Sequence, residues 1–437
     1  MKTHSLTVIG TGYVGLTTGA CLASLGHRVV CADADAQKVE RLRRAQVHIL
    51  EPGLAQAVHD GLESGRLAFV TDTRAAVRDA EVVFLCLPTP MGVGGGADLA
   101  AVEAVADEVR DHLPRGCTVV NKSTVPVGTA ERIVALLRRP DVSVVSNPEF
   151  LREGHAVDDF LHPDRIVVGS VDADAAQRVS DLYLRIDAPR IVTDTASAEL
   201  AKYAGNFFLA MKVSFANNLA TLCERLGANI DDVVAGIGHD PRIGGAFLTP
   251  GPGWGGSCLP KDTRALLRVC EESGVEFPLL RAAIETNVEH QRLLVERVAA
   301  GCAGAGGSLR GVRLGLLGLT FKAGTSDLRD SPALAIARRL WELGANVHAY
   351  DPAISELPAN LGYLLTLAGT PLDAVEGAQA CIVLTEWPQF RDLDWEAVAE
   401  RLDAPLVYDF RNLLDPARLA KADLIWEGLG RSPTTTR

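Results

Sequence analysis

Leu6-Thr7-Val8-Ile9 runs straight into Gly10-Thr11-Gly12-Tyr13-Val14-Gly15, and a stretch rich in Ala and Leu follows. This is G-x-G-x-x-G at a strand-to-helix junction, a turn that few folds accept. His27-Arg28-Val29-Val30-Cys31-Ala32 reads as a second strand ending at Asp33. An acid about twenty positions beyond such glycines is placed to hold ribose hydroxyls. A tight packing turn can produce the hexapeptide alone. Strand, helix and terminal acid in register predict a dinucleotide site built on Gly10, Gly12, Gly15 and Asp33. A carboxylate there repels a 2′-phosphate, which favours NAD over NADP.

The pattern continues as α/β to about residue 195. Buried-type runs recur at Glu81–Leu87, Cys117–Asn121, Val142–Ser146 and Arg165–Gly169, separated by amphipathic helices. Apolar strands alternating with helices imply a parallel sheet covered on both faces. Pro88-Thr89-Pro90, Lys122-Ser123-Thr124 and Asn147-Pro148-Glu149 follow three of these strands. Ligands of such sheets lie at the carboxyl ends of the strands. Any one of these triplets reads as ordinary loop; three at equivalent ends point to a site.

From Ser197 to about residue 227 the period changes. Leu200, Ala204, Phe207, Met211, Phe215, Leu219, Leu222 and Leu226 recur every three or four residues. That spacing predicts one helix of roughly 45 Å at about 1.5 Å per residue, its stripe serving as core or as a dimer seam. Lys202 and Asn206 fall one turn apart on another face, either as a solvated pair or aimed at one point. The segment 301–311, GCAGAGGSLRG, reads as a flexible linker. A second α/β unit follows, with strands at Val312–Gly318, Asn346–Tyr350, Ala380–Leu384 and Pro405–Tyr408, and Asp351 echoing Asp33. It lacks G-x-G-x-x-G, so a different nucleotide-bearing ligand is expected there. The tail beyond about Gly428 reads as frayed.

Chemistry enters with Gly251-Pro252-Gly253-Trp254-Gly255-Gly256-Ser257-Cys258-Leu259-Pro260-Lys261-Asp262. A lone Cys is usually a small buried hydrophobe. Here it ends a glycine-dense loop fit for close backbone approach. A helix starting near Pro260, together with Lys261, would favour its thiolate. Hydride transfer to NAD converts an alcohol to a carbonyl without a thiol. Oxidising an aldehyde further requires a carbinol carbon, which a thiolate supplies by adding as a thiohemiacetal. Thiol and dinucleotide together therefore suggest oxidation to a carboxylate.

The formal net charge of −12 argues against nucleic-acid or anionic-membrane partners. Nine scattered Cys show no C-x-x-C pair or zinc spacing, which fits a reducing compartment and no metal site. The first apolar run is too short for a signal peptide, and no run approaches a membrane span. A cytoplasmic location is expected.

At this point the chain resembles the UDP-glucose/GDP-mannose dehydrogenase family. The likeness runs through Gly10–Gly15, Lys122–Gly128, Asn147–Gly154, Pro163–Gly169, the Lys202/Asn206 helix, Gly253–Asp262, Gly318–Lys322 and Asp327–Arg329. It implies two doubly wound Rossmann-like domains joined by a long, dimer-forming central helix. The domains would be an NAD-binding 1–195, a central 196–300 with the cysteine loop, and a UDP-sugar-binding 301–437. The implied activity is four-electron oxidation of UDP-glucose to UDP-glucuronate with two NAD, in a homodimer or higher homo-oligomer. Alternatives are the same chemistry on dTDP-glucose, GDP-mannose or a UDP-N-acetylhexosamine, or a non-catalytic binder.

By position, the resemblance makes Cys258 the nucleophile, and Lys202 and Asn206 the stabilisers of the oxyanion. Thr124 and Glu149 would position or deprotonate water, with Glu149 as the base, and Asp262 would assist hydrolysis or tune Lys202. Tyr13, Val14, Lys38, Thr89, Thr124, Glu153, Lys261 and Arg329 join the glycines and Asp33 at the cofactor. The substrate set is Glu149, Phe150, Leu151, Arg152, Glu153, Lys202, Asn206, Arg242, Phe247, Leu248, Gly251, Gly255, Cys258, Phe321 and Lys322. Arg242 would reach the neighbouring subunit's substrate. Trp254, Asn218 and Phe410 depart from the family pattern.

Overall fold

The computed structural model describes residues 2–92, 94–303 and 308–431. Two compact units divide it: Met1–Gly205 with Arg264–Glu276, and Asn206–Thr263 with Phe277–Arg437. Among the described residues no helix is long and apolar enough to cross a membrane.

In the first unit β1 (Ser5–Ile9), β2 (Arg28–Ala32), β3 (Leu67–Val70), β4 (Val82–Leu85), β5 (Thr118–Asn121), β6 (Ser143–Ser146), β7 (Ile166–Gly169) and β8 (Arg190–Thr193) form one sheet, ordered β3-β2-β1-β4-β5-β6-β7-β8. Strand order reverses between β1 and β4, which opens the crevice where doubly wound sheets bind ligands. Both faces are covered: Leu16, Ala20 and Val58 belong to one buried cluster, Val102, Ala106 and Ile133 to another. One departure from an all-parallel sheet occurs at β7, which runs antiparallel to β6 and meets it at the single pair Ser146↔Gly169. The 147–165 segment carries only the short helix Ala156–Leu161, so β7 begins beyond the carboxyl end of β6 and runs back toward it.

In the second unit β9 (Arg313–Leu317), β10 (Asn346–Tyr350), β11 (Thr366–Leu367), β12 (Ala380–Val383), β13 (Leu406–Asp409) and β14 (Ile425–Gly428) form a sheet ordered β11-β10-β9-β12-β13-β14. All its pairings are parallel. Two boundaries expected from sequence move here for packing reasons. The helix Pro278–Cys302 runs into the expected linker, because Gly301 has no Cβ to strike the Tyr408 hydroxyl, which would lie 2.0 Å away. Of the remainder of that segment, residues 304–307 lie outside the described residues, while Leu309 is buried. The tail is held through Gly430, whose N–H donates to Glu224 and whose carbonyl accepts from Ile230 N. Residues 432–437 lie outside the described residues.

The long helix spans Thr195–Leu226. Much of its apolar stripe is exposed: Leu200, Phe215, Leu222 and Leu226 are 45%, 50%, 49% and 72% exposed, as is the neighbouring Phe208 at 54%, while Leu219 packs on the second unit's core. Phe207, by contrast, is buried against Phe277.

Asp351, at the end of β10, is buried and accepts from Leu319 N, Thr320 N, Thr320 Oγ1 and Trp387 Nε1 at 2.7, 3.0, 3.0 and 3.2 Å. Asp351→Ala would strand these donors, and each buried unmet donor costs about 1–3 kcal/mol. The expected result is a loss of about 3 kcal/mol or more in urea unfolding, with NAD affinity unchanged. An unshifted midpoint would refute this account of the turn.

Candidate active site

The glycine turn has the shape of a dinucleotide cradle. Gly10, at φ +93°, lies so close to β4's end that a Cβ would meet Cys86 O at 2.4 Å. A Cβ on Gly15 would meet Gly10 O at 1.9 Å, whereas one on Gly12 would meet nothing within 4 Å. The turn is thus packed on its inner side and open where a pyrophosphate would approach the helix N-terminus. Asp33 Oδ2 accepts from Thr11 N, Thr11 Oγ1 and Lys38 Nζ at 2.8, 2.6 and 2.9 Å, while among the described residues Oδ1 accepts from Asp35 N alone. Burial raises the carboxyl, but these bonds outweigh it and hold it down at about 2. Oδ1 keeps capacity for a ribose diol, so these residues fit NAD. Tyr13 donates to Glu51, which also accepts from Gly154 N and Ala156 N and so ties the 149–154 loop to the glycine turn. Val14 packs on the first core cluster.

The three loops singled out at strand ends meet one another. Ser123 Oγ bonds Leu87 N and O, and Thr89 Oγ1 donates to Thr124 O at 2.8 Å. Lys122 Nζ donates to Asn147 O and Oδ1 at 3.3 and 3.2 Å. Glu149 is buried, with Oε1 3.1 Å from Lys202 Nζ and Oε2 accepting from Leu151 N at 2.6 Å. Both side chains of this ion pair are about 5% exposed, which excludes the solvated-pair reading of Lys202. Losing one partner of such a pair costs about 3–5 kcal/mol, because the other charge stays buried. Phe150 lies under Arg165, 3.7 Å from ring centre to guanidinium, with Lys202 5.3 Å from the same centre. Arg152 turns away to a two-pronged bond with Asp159.

Glu199 gave no sequence signal beyond a carboxylate in an apolar stretch. It is buried one turn before Lys202 and accepts from Gly128 N, Ala130 N and Ser146 Oγ at 2.8, 3.0 and 2.9 Å.

In the second unit Cys258 immediately precedes the helix Leu259–Glu272, and its carbonyl accepts from Asp262 N. Asp262 is fully buried and accepts from Asn206 Nδ2 at 2.5 Å and Lys261 Nζ at 2.6 Å. Lys261 thus pairs with Asp262, and the helix N-terminus lies directly behind Cys258. The glycine loop is caged by polar side chains. Asn217 Oδ1 accepts from Gly251 N, His290 Nε2 lies 2.8 Å from Gly251 O, and Asn287 bonds both N and O of Trp254. Trp254 Nε1 donates to Ser214 Oγ. Cβ atoms on Gly255 and Gly256 would strike Asp330 O at 2.2 Å and the Phe321 ring at 2.8 Å. Their smallness thus serves packing on the protein itself. Leu248 is buried, and Phe247 sits at φ +63°. Arg242 is exposed and paired with Asp240, Arg329 is paired with Asp327, and Lys322 stands over Phe321. Arg411 was missed in the sequence; it lies along Gly251 and donates to Leu384 O and Phe321 O.

The cradle, switch point and terminal acid define a dinucleotide-binding protein. Residues 4–187, 196–289 and 315–416 match the NAD binding, central and UDP binding domains of the UDP-glucose/GDP-mannose dehydrogenase family, and the chain belongs to that family. It is 44% identical to a UDP-glucose 6-dehydrogenase of Rhizobium meliloti, covering 98% of this chain and 99% of the relative. A UDP-glucose dehydrogenase structure from Pyrobaculum islandicum superposes with a TM-score of 0.89 at 40% identity, over 99% and 98% of the two chains. A UDP-D-ManNAc dehydrogenase from Pyrococcus horikoshii gives 0.84 at 26% identity, over 98% and 99%.

Replacing Asp33 with Ser should weaken NAD at least about tenfold and narrow the preference over NADP, read by titration of each cofactor. With the wild-type carboxyl near 2, it stays ionised, so NAD affinity should not fall on its account between about pH 8 and 5. A fall removed by Asp33→Ser would refute the assignment.

Proposed function

We propose that this chain oxidises UDP-glucose to UDP-glucuronate, with Cys258 holding the sugar's C6 between two oxidations. Membership of the family, and 44% identity to a relative named UDP-glucose 6-dehydrogenase, support the substrate over its sisters. The observation that carries the chemistry is a thiol at the head of a helix, ending a caged loop, with Asp262 and Asn206 bonded behind it. A protein that only bound nucleotide sugars would have no use for that thiol.

NAD, when bound, accepts the hydride lost from C6 in each oxidation. The rest belongs to the chain. Lys202 supplies positive charge, and Asp262 fixes the Asn206 amide so that its remaining N–H is offered to the oxyanion. Cys258 Sγ adds to the aldehyde carbon, then carries that carbon as a thioester. Thr124 and Glu149 hold the water that attacks the thioester, releasing carboxylate and thiol. Glu149 already meets Lys202 and Leu151 N, and a carboxylate has lone pairs left for water. Phe321, Lys322 and Arg411 belong with the UDP moiety, Phe247, Leu248, Gly251 and Gly255 with the sugar, and Arg242 with a neighbouring subunit's substrate. Functionally the chain divides into 1–195, 196–300 and 301–437. Buried free thiols such as Cys21, Cys31 and Cys381 suit the cytoplasm.

The exposed seam of Phe208, Phe215, Leu222 and Leu226 favours self-association, since burying each such side chain yields about 1.5–3 kcal/mol. The seven-residue steps from Phe208 to Phe215 and on to Leu222 suit a helix facing its own copy. Phe215→Glu with Leu222→Glu should convert a wild-type dimer or higher assembly to monomer in sedimentation velocity. A monomeric wild type would end this proposal.

Wild type should form two NADH per uronate and favour UDP-glucose over GDP-mannose by about a hundredfold or more in kcat/KM. Cys258→Ala should make no uronate and retain at most one slow oxidation. Normal uronate output from Cys258→Ala would remove the thiol from the mechanism.

A further inference from the structure

Lys122 is a buried lysine that the chemistry above leaves without a task. It follows β5 directly, where the chain turns toward Thr124, and its whole residue is 5% exposed. Long flexible cations are almost never buried this fully unless something meets them. Among the described residues, neutral acceptors alone bond the ammonium: Asn147 O at 3.3 Å and Asn147 Oδ1 at 3.2 Å. Asn147 is in turn fixed by Tyr183, whose hydroxyl donates to Oδ1 at 2.7 Å, and by its own Nδ2, which donates to Val167 O at 2.7 Å. The residue so anchored stands two before Glu149, with only Pro148 between them. Pro148 fixes its own φ, so fewer rotations separate Asn147 from Glu149 and anchoring Asn147 restrains the backbone that carries the carboxylate.

We propose that Lys122 is a positioning residue for the Glu149–Lys202 pair: its buried ammonium anchors the Asn147-Pro148-Glu149 turn and adds a positive charge beside the pair. This rests on the assignment of Glu149 and Lys202 to the chemistry, and deepens it.

The surroundings make that charge titratable. Burial lowers Lys122 from the ordinary lysine value to about 8, while Glu149 draws it up and Lys202 presses it down. Cys86, at the end of β4, is itself pushed up to about 12 by burial and stands as a neutral thiol. Tyr183, whose ring centre lies 5.9 Å from Nζ, is also pushed up by burial and stays un-ionised. Glu149 from the turn and Lys202 from the long helix are thus the charges that face Lys122. Below about pH 8 the pair works beside an extra cation, which favours an anion developing next to Lys202. Above it the neighbour is a neutral amine and that help is gone.

The test is the pH dependence of kcat ratios in the intact enzyme, with UDP-glucose and NAD saturating, from pH 6.5 to 9.5. Lys122→Met removes charge and donors at every pH. The ratio of wild type to Lys122→Met should be largest near pH 7 and shrink at least about fivefold by pH 9.5, with a midpoint near 8. KM for NAD should stay within about threefold, since the glycine turn is untouched. Lys122→Arg keeps the charge throughout, so wild type should fall relative to it across the same window. A side chain needed only for packing gives flat ratios, and flat ratios in both variants overturn the proposal. Where Lys122→Met does not fold, as judged by thermal melting, the Lys122→Arg ratio decides alone. Flat ratios with Cys258→Ala still inactive would sink this inference only. Uronate from Cys258→Ala would sink the mechanism on which it rests.

Discussion

Two charges taken out of water on one turn of the long helix set the arrangement of the first unit's site. Glu199 and Lys202 lie three residues apart, and neither can stay buried unless the sheet supplies partners. Glu199 takes two N–H groups from the head of the helix Thr129–Leu137 and the hydroxyl that ends β6. Lys202 takes Glu149, three residues beyond β6. The helix cannot rotate or slide without breaking both sets. The loops after β5 and β6 are therefore held in register with it, and that register brings an ammonium to a carboxylate. Burial raises the Glu199 carboxyl while its three donors oppose that rise, so the clamp depends on those donors staying in place.

The cysteine loop solves a different problem. A segment with glycine at 251, 253, 255 and 256 loses much conformational entropy on ordering. The structure offsets this with backbone bonds from buried amides and an imidazole: Asn217 and His290 on Gly251, Asn287 on Trp254. His290 is lowered by burial and so stays neutral, which lets it bond a carbonyl without bringing a charge into the cage. Glycine composition suggested a loop open to a ligand. Gly255 and Gly256 also admit Asp330 and Phe321, and the thiol's place follows from that rigidity.

How much of this could be read in the chain follows from the range of the forces involved. The glycine turn, Asp33 and the runs that became β1, β4, β5, β6, β9 and β12 are local signals of turn chemistry and apolar period. β8 escaped notice because it is an edge strand with Arg190, Ile191 and Val192 all exposed, and β11 because it has two residues. The reversal at β7 depends on where the 147–165 segment goes, which no periodicity reports. Lys202, Asn206 and Asp262 were legible as spacings, but their pairing was not, since Lys202 meets Glu149 while Asn206 meets Asp262. Glu199, Glu51, Asn287, His290 and Arg411 act on backbone far away in sequence, and a lone polar residue in a helix carries no mark of that.

The two sheets also show how one chain keeps a single dinucleotide cradle on two similar frames. Each has an acid at the end of its second strand that accepts from the turn after its first: Asp33 from Thr11, and Asp351 from Leu319 and Thr320. Holding that turn is thus a demand both frames share, separate from any ligand. What differs is the lid. Asp33 keeps an outer oxygen bonded, among the described residues, to Asp35 N alone and a side chain 13% exposed. Asp351 is capped by Trp387 Nε1 and sealed at 1% exposure. Gly318 presses against Thr385 as Gly10 presses against Cys86, but the counterpart of the open Gly12 is the fully buried Thr320. A ribose can reach the first acid and not the second. On the second frame Phe321, Lys322 and Arg411 cluster instead about the turn after β9 and the loop after β13, on that sheet's carboxyl edge.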